Sequence, residues 1–343
     1  MFTQQKVKVG IVGMGTPSRG GGKQFIDIFQ QTKRAEVIAV CDIIEERAKQ
    51  VAKEKNIPYW FSDYEKMLKL KELDLVIVRT DDKNHAPISL AALDYGKDVL
   101  VEKPMAVKME ELEAMIKKVE ETKRILMVNY ILRYNPIYQL VKRQVDKGML
   151  GKIFYIQREY LHNLNKEGIL TGTWRAKEDE FHTPICGGGC HAIDTFRWIL
   201  EDEAEEVFAY GSKMAYSKKD YPFPDSIVAL IKFKKGTIGK IHASFGCILK
   251  YYADLQVMGT EGSFVGNKFY YSTKEEEALS VNLNYPGHPF EPLIKDLLDS
   301  VIQRKNAPID VYDGANASSI AFAIMESLNV KRPVKPKLFL PKI

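Results

Sequence analysis

The sequence predicts an α/β protein in two parts, a doubly wound parallel sheet followed by an α+β half built on a mostly antiparallel sheet. Three observations predict it. Strand patterns alternate with helix patterns through the first third of the chain, which implies βαβ units. A glycine-rich turn joins the first strand to the first helix. In the second half the strand patterns follow one another mainly through loops and turns, as hairpin-connected strands do.

Taken in order, Val7 to Val12 is a buried strand, followed by the glycine turn and a helix through Phe25 to Phe29. Val37 to Cys41 is the second strand and Glu45 to Glu54 the second helix. Asp74 to Val78 is a third strand, and a helix from His85 to Tyr95 follows, with Asn84 as N-cap and Gly96 just past its end. Val99 to Val101 is a fourth strand, Met109 to Lys123 a long helix and Ile125 to Val128 a fifth strand. Asn135-Pro136 then opens a helix ending at Lys147-Gly148. Strands are expected over Ile153 to Tyr160, Val207 to Tyr210, Ile227 to Phe233, Ile238 to Phe245 and Tyr252 to Met258, with Lys234-Lys235-Gly236-Thr237 as a hairpin turn. Pro289 to Gln303 and Ala315 to Asn329 read as helices, and the Pro/Lys-rich tail from Lys331 as an arm. No internal repeat or low-complexity segment is seen. The expected division is a nucleotide-binding domain over 1–126 and a second domain over 127–343.

Composition narrows the function. A chain of 343 residues has room for two cores, since single cores stop growing at roughly 250 to 300 residues. Hydrophobic content of 45% and charged content of 28% are those of a soluble globular protein. The formal charge of +5 arises from 50 basic and 45 acidic residues that are interspersed, so neither nucleic acid nor membrane is expected as a partner. The start lacks the pattern of a signal peptide, no apolar run is long enough to span a bilayer, and four cysteines do not make a disulfide framework. A cytoplasmic protein is expected.

The chemistry begins at Glu102-Lys103-Pro104, which follows the apolar run Asp98 to Val101 and places an ammonium at the carboxyl edge of a strand. In an open α/β sheet that edge is where ligands bind. Proline at 104 biases Lys103 toward extended backbone, so the lysine is mounted on a strand end. The turn Gly13-Met14-Gly15-Thr16-Pro17-Ser18-Arg19-Gly20-Gly21-Gly22 lets the backbone approach a pyrophosphate lying at the next helix N-terminus, although Ser18 occupies the third glycine position of the strict fingerprint. Asp42, closing the second strand, is placed to accept the ribose hydroxyls of an NAD adenosine, a role compatible with capping the helix from Glu45. Ile43 follows it, with no adjacent arginine or lysine for a 2′-phosphate, so NAD is expected over NADP.

These residues, with Val40-Cys41-Asp42, Arg79-Thr80-Asp81-Asp82-Lys83-Asn84-His85, the run Ala91 to Pro104 and Asn129 to Pro136, resemble the glucose-fructose oxidoreductase / inositol dehydrogenase / MocA (Gfo/Idh/MocA) family. The resemblance continues through Gly187-Gly188-Gly189-Cys190-His191-Ala192-Ile193-Asp194. It implies an N-terminal Rossmann domain and an α+β domain with an open sheet that often supports a homodimer or homotetramer. Members typically oxidise or reduce a sugar or polyol carbon with a nicotinamide cofactor. Cofactor contacts are then expected at Gly13, Met14, Gly15 and Thr16, and at Ser18, Arg19 and Gly20. Others are expected at Asp42, Thr80, Asn84, His85, Glu102 and Lys103.

His191 is the expected catalytic partner of Lys103. It follows three glycines and begins a helix pattern, and alcohol oxidation needs a proton acceptor that titrates near neutrality. Lys103 would hold the oxygen and stabilise developing negative charge. Many family dehydrogenases carry aspartate four residues before this histidine, where this chain has Gly187. A carboxylate from elsewhere, Glu159 or Asp194, or Lys103 and His191 alone, are the alternatives. Tyr160, His162, Asn163, Trp174, Arg175 and His182 form a segment rich in hydrogen-bonding and aromatic groups, as polyhydroxylated ligands require, or else an ordinary polar loop. With Arg133, Lys103 and His191, all of these except Asn163 make up the expected substrate contacts. His182, Cys186, Cys190 and His191 have spacings that invite a zinc reading, but the glycines serve close backbone approach and the family fold needs no metal, so none is expected. His85 is placed at the cofactor helix and His242 in a sheet. The functional classes left open are an NAD-dependent sugar or polyol dehydrogenase, a redox-neutral NAD-dependent glycosidase on the same scaffold, and a non-catalytic NAD or sugar sensor.

Overall fold

The computed structural model describes residues 6–15, 22–272, 279–281 and 288–341. It divides into two compact units, Met1–Tyr130 with Pro289–Ala315, and Ile131–His288 with Asn316–Ile343.

The first unit contains β1 (Val7–Val12), α1 (Lys23–Gln31), β2 (Ala35–Cys41), α2 (Glu45–Lys55), β3 (Tyr59–Phe61), α3 (Tyr64–Leu68), β4 (Leu75–Val78), α4 (His85–Asp94), β5 (Asp98–Val101), α5 (Met109–Thr122) and β6 (Leu126–Val128). The strands form one parallel sheet in the order β3-β2-β1-β4-β5-β6. Covered on both faces by helices, such strands are largely apolar, and every residue of β4, β5 and β6 is buried, including Asp98 at the head of β5, which pairs with Arg304 at 2.5 Å. The order reverses at β1 and β4, and ligand sites of open α/β sheets lie at such a switch point. The doubly wound expectation holds, with β3 and α3 added. Helix α2 suits its own dipole, with Glu45 and Glu46 in the first turn and Lys53 and Lys55 in the last. Asn84 precedes α4 without capping it, its amide donating instead to Asp81 Oδ1 at 2.5 Å.

The second unit begins with α6 (Pro136–Asp146), whose start is set by Asn135 Oδ1 accepting the Ile137 amide at 2.9 Å and by proline in the first turn. Then come β7 (Ile153–Leu161), α7 (Cys190–Leu200), β8 (Ala204–Ser212), β9 (Ser226–Phe233), β10 (Ile238–Ser244), β11 (Leu255–Gly259), β12 (Gly262–Val265), β13 (Lys268–Tyr271) and β14 (Leu279–Ser280). Their order is β14-β13-β12-β11-β7-β10-β9-β8, with β7 and β10 parallel and the other pairs antiparallel. In β9, Ile227, Ala229, Ile231 and Phe233 are buried while Val228 and Leu230 on the other face are exposed.

Helix α8 (Phe290–Gln303) belongs to the first unit, where Phe290 meets Phe25 at 4.9 Å and Asp299 pairs with Arg34 at 2.7 Å. Helix α9 (Val311–Val330) runs on into the second. The tail after it is no free arm, because Val334 bridges Val207 of β8 and the Phe339 amide donates to Asn316 Oδ1 at 2.7 Å. Among the described residues no helix is long and apolar enough to cross a membrane.

Candidate active site

In the first unit Gly13, Met14 and Asp42, all expected at a cofactor, come together at the end of β1. Gly13 has φ +92°, a conformation that glycine reaches without strain, and its amide donates to the Cys41 carbonyl at 2.8 Å. The Met14 amide donates to Asp42 Oδ2 at 2.9 Å, and Gly15 is the last described residue before the turn continues. Thr16, Ser18, Arg19 and Gly20 lie outside the described residues. Asp42 is 4% exposed, and its Oδ1 accepts the Ile44 amide at 2.9 Å, a local turn ahead of α2 and not a cap on it. The neighbouring residues in sequence carry no positive charge, yet one turn of α2 brings Arg47 Nη1 to 3.2 Å from Asp42 Oδ2.

At the end of β5, Glu102 is the centre of a charged cluster. Its Oε1 accepts from Asn129 Nδ2 at 2.9 Å and lies 3.5 Å from Arg79 Nη1, and its Oε2 lies 3.3 Å from the Lys103 amide that donates to it. Burial works to raise the Glu102 pKa, but Arg79, Lys103 and His85 outweigh it and hold the carboxyl below its usual range. Lys103 therefore stands beside a half-buried carboxylate, joined to Pro104 by a cis peptide bond. His85, buried at the start of α4, donates from Nδ1 to the Pro104 carbonyl at 2.7 Å, with Nε2 at 3.3 Å from the Thr80 carbonyl. Arg79, to which the sequence reading gave no role, lies over the rings of Phe25 and Phe290 at 4.9 and 5.5 Å. Nothing local in the sequence marks that seat, since it joins segments far apart in the chain.

In the second unit, the glycines before His191 are not a loop. Ile185–Gly189 make a π-helical turn that continues into α7, so His191 stands in the first turn of the α-helix. Glycine is needed because side chains press on it: a Cβ on Gly188 would sit 2.1 Å from Cε1 of Tyr160, and one on Gly187 would sit 2.6 Å from Nε2 of His182. Tyr160 and His162 are joined at the end of β7. With His162 Nε2–H donated to Glu167 Oε1 at 2.9 Å, Nδ1 is left to accept the Tyr160 hydroxyl at 3.2 Å. Burial pushes the Tyr160 phenol up, helped by Tyr251 and opposed by Arg158. His182 stacks on Phe245 at 5.7 Å and meets the edge of Trp174 at 5.1 Å, while Arg175 lies over the Trp174 ring at 4.2 Å. Six expected substrate contacts thus group around one helical turn, and Glu167 and Phe245 join them.

Arg133 is engaged otherwise. Its Nη2 and Nε donate to the buried Asp194 at 2.6 and 3.0 Å. Of the two carboxylates considered for the place of Gly187, Asp194 is thus held by Arg133. Glu159 alternates with Tyr160 along β7 and bonds His242 on the neighbouring strand at 2.8 Å. All four cysteines are free thiols. Among the described residues no three His, Cys, Asp or Glu side chains converge as metal ligands would.

Comparison with known proteins gives the family and the fold. Residues 7–130 match the family model described as an oxidoreductase family with an NAD-binding Rossmann fold, and residues 138–265 match that for the GFO/IDH/MocA C-terminal domain. A scyllo-inositol 2-dehydrogenase (NAD(+)) of Bacillus subtilis is 29% identical over 269 residues, 77% of this chain and 75% of the relative. A glycosyl hydrolase family 109 protein of Bacteroides fragilis is 27% identical over 75% of this chain and 60% of its own length. The crystal structure of a levoglucosan dehydrogenase in complex with NADH superposes with a TM-score of 0.86 over 98% of this chain and all of that one, at 21% identity, a likeness of fold. With both of its domains matched in order, the chain belongs to the GFO/IDH/MocA family of NAD-binding oxidoreductases.

Proposed function

We propose that this protein moves a hydride between the nicotinamide of NAD and a hydroxyl-bearing carbon of a sugar or polyol. The observation that carries the reading is Lys103 beside the half-buried, charge-stabilised Glu102 at the carboxyl end of β5, in the domain that matches the family's NAD-binding model. The described part of the cradle is consistent with a dinucleotide: the turn after β1 begins at Gly13, whose missing Cβ admits the Arg79 backbone, and Asp42 follows β2 where a ribose would be read. Bound NAD supplies the hydride acceptor.

The chain's own residues do the rest. Lys103 holds the substrate oxygen and stabilises the negative charge that grows on it as the O–H bond breaks. Glu102 keeps a counter-charge next to Lys103. His191 accepts the hydroxyl proton, and in the reductive direction returns it. Tyr160, Trp174 and Arg175 offer ring faces and donors to a polyhydroxylated ligand. The names of inositol dehydrogenases among the relatives support this substrate class. Asp42 favours NAD, and Arg47 beside it is the group that a 2′-phosphate would recruit.

The test is nicotinamide reduction followed by absorbance, with NAD or NADP against inositols, aldoses, sugar acids and deoxy sugars. Turnover with NAD is expected. A second reading, a redox-neutral glycosidase, draws on the family 109 relatives and on Gly187. Silence across the panel, with NAD bound to the purified protein and release of an aryl glycoside's leaving group, would replace the first reading by the second.

A further inference from the structure

We propose that His182 is a second proton-handling residue of the site, supplying next to His191 the side chain that Gly187 lacks. The inference rests on the dehydrogenase reading above.

Helix positions four apart lie on one face, so a side chain at 187 would address the same ground as His191, one turn earlier. That ground is taken. A Cβ on Gly187 would stand 2.6 Å from Nε2 and 2.7 Å from Cε1 of His182, and 3.0 Å from Cζ of Phe245. The His182 imidazole and any side chain at 187 exclude one another, and it is the Nε2 edge of the ring that occupies the space.

The ring is held there. His182 is 5% exposed, stacked on Phe245 with an interplanar angle of 18° and set edge-on to Trp174. Its carbonyl accepts the Tyr221 hydroxyl at 2.7 Å. The next residue, Thr183, takes the Gly187 amide on its carbonyl at 2.7 Å and the Cys186 amide on its hydroxyl at 3.1 Å. The imidazole so held presents its Nε2 edge at position 187, one turn before His191.

Its role follows from the chemistry of the reaction. Bound NAD would accept the carbon's hydride; as the substrate's O–H bond gives way to C=O, its proton would pass to His191. His182 shares that proton, and as a neutral base it does so without the fixed negative charge that an aspartate would set beside His191. Among the titratable or charged groups packed about His182 are Tyr221, Tyr160 across Phe245, and Arg175 through Trp174.

The experiment compares wild type with His182→Phe, His182→Ala and His182→Ala combined with Gly187→Asp, measuring turnover across pH, NADH affinity and melting temperature. His182→Phe keeps the ring packing, and is expected to lose more than about tenfold in kcat with NADH affinity and melting temperature held. The double variant reopens the space and fills it with a carboxylate. It is expected to regain at least about tenfold over His182→Ala, with its acidic limb moved to higher pH because an adjacent anion raises the His191 pKa. A smaller loss in His182→Phe, or a double variant no better than His182→Ala, overturns the proposal. A wild type silent on every substrate refutes the dehydrogenase reading instead. In that case the NMR titration of His191 decides: His182→Phe should move its midpoint by about half a unit or more, and an unmoved midpoint overturns the pairing.

Discussion

Replacing Gly13 by alanine tests the cofactor cradle and the fold together. At φ +92° an L-residue with a Cβ pays roughly 1–2 kcal/mol for the left-handed backbone. The added carbon would also lie 2.2 Å from the Arg79 carbonyl oxygen and 2.7 Å from its carbon. That backbone cannot easily yield, because the Arg79 amide donates to the Val12 carbonyl at 2.9 Å and its guanidinium lies over Phe25 and Phe290. Forcing the two segments apart adds about 1–3 kcal/mol, as overpacking does in cores. The expected destabilisation is therefore about 2–5 kcal/mol, a large share of the ~5–15 kcal/mol that holds a domain folded. Denaturant unfolding reads it as a lowered midpoint at unchanged slope. NADH fluorescence titration should show affinity falling by at least about tenfold, since the turn facing the pyrophosphate is displaced. A loss of stability under about 1 kcal/mol together with unchanged NADH affinity would refute both the strain argument and the placing of the cofactor.

Three further outcomes are expected. Lys103→Ala should lower kcat by about a hundredfold or more with NADH affinity nearly unchanged, measured by steady-state turnover and NADH titration; full activity would remove the lysine from the chemistry. Asp42→Ala should release Arg47 and shift the NAD-to-NADP ratio of kcat/KM toward NADP by at least about tenfold, whereas a fixed ratio would mean that another group reads the ribose. Glu102 has a folded pKa below its ordinary 4.5, so its charged form adds stability above that pH and the benefit fades as pH falls through the lowered value. The stability difference between wild type and Glu102→Gln should accordingly be level from about pH 8 to 5 and shrink in more acid solution, and a difference that grows on acidification would contradict the sign.

What could be read in the sequence was what local chemistry determines. The parallel half was legible because strands buried on both faces are unbroken apolar runs, as in β4 and β5. The elements overlooked are those with little to bury: β3 is a three-residue strand whose Tyr59 and Trp60 are exposed, and β12 to β14 are short and half open to solvent. Helix α9 starts at Val311, earlier than Ala315, and that signal was available, since Asp310 Oδ1 accepts the amides of Tyr312 and Asp313 at 2.9 and 3.0 Å as a helix cap does.

The site divides along the same line. Asp42 and Lys103 end apolar runs, so their positions follow from strand length alone. Three adjacent glycines, by contrast, argue locally against a helical turn, because glycine weakens a helix by about 1 kcal/mol against alanine. Their helical state at 185–189 is imposed from outside, by Tyr160 lying on Gly188 and His182 on Gly187. Those rings come from a strand end and a separate turn, and Phe245, on which His182 stacks, comes from beyond the end of a third segment. No spacing rule links such positions. The glycines still carried the information in another form: a run too weak to be helical by preference is kept where large rings need the room, so its cost in helix propensity measured the proximity of something bulky before any fold was in view.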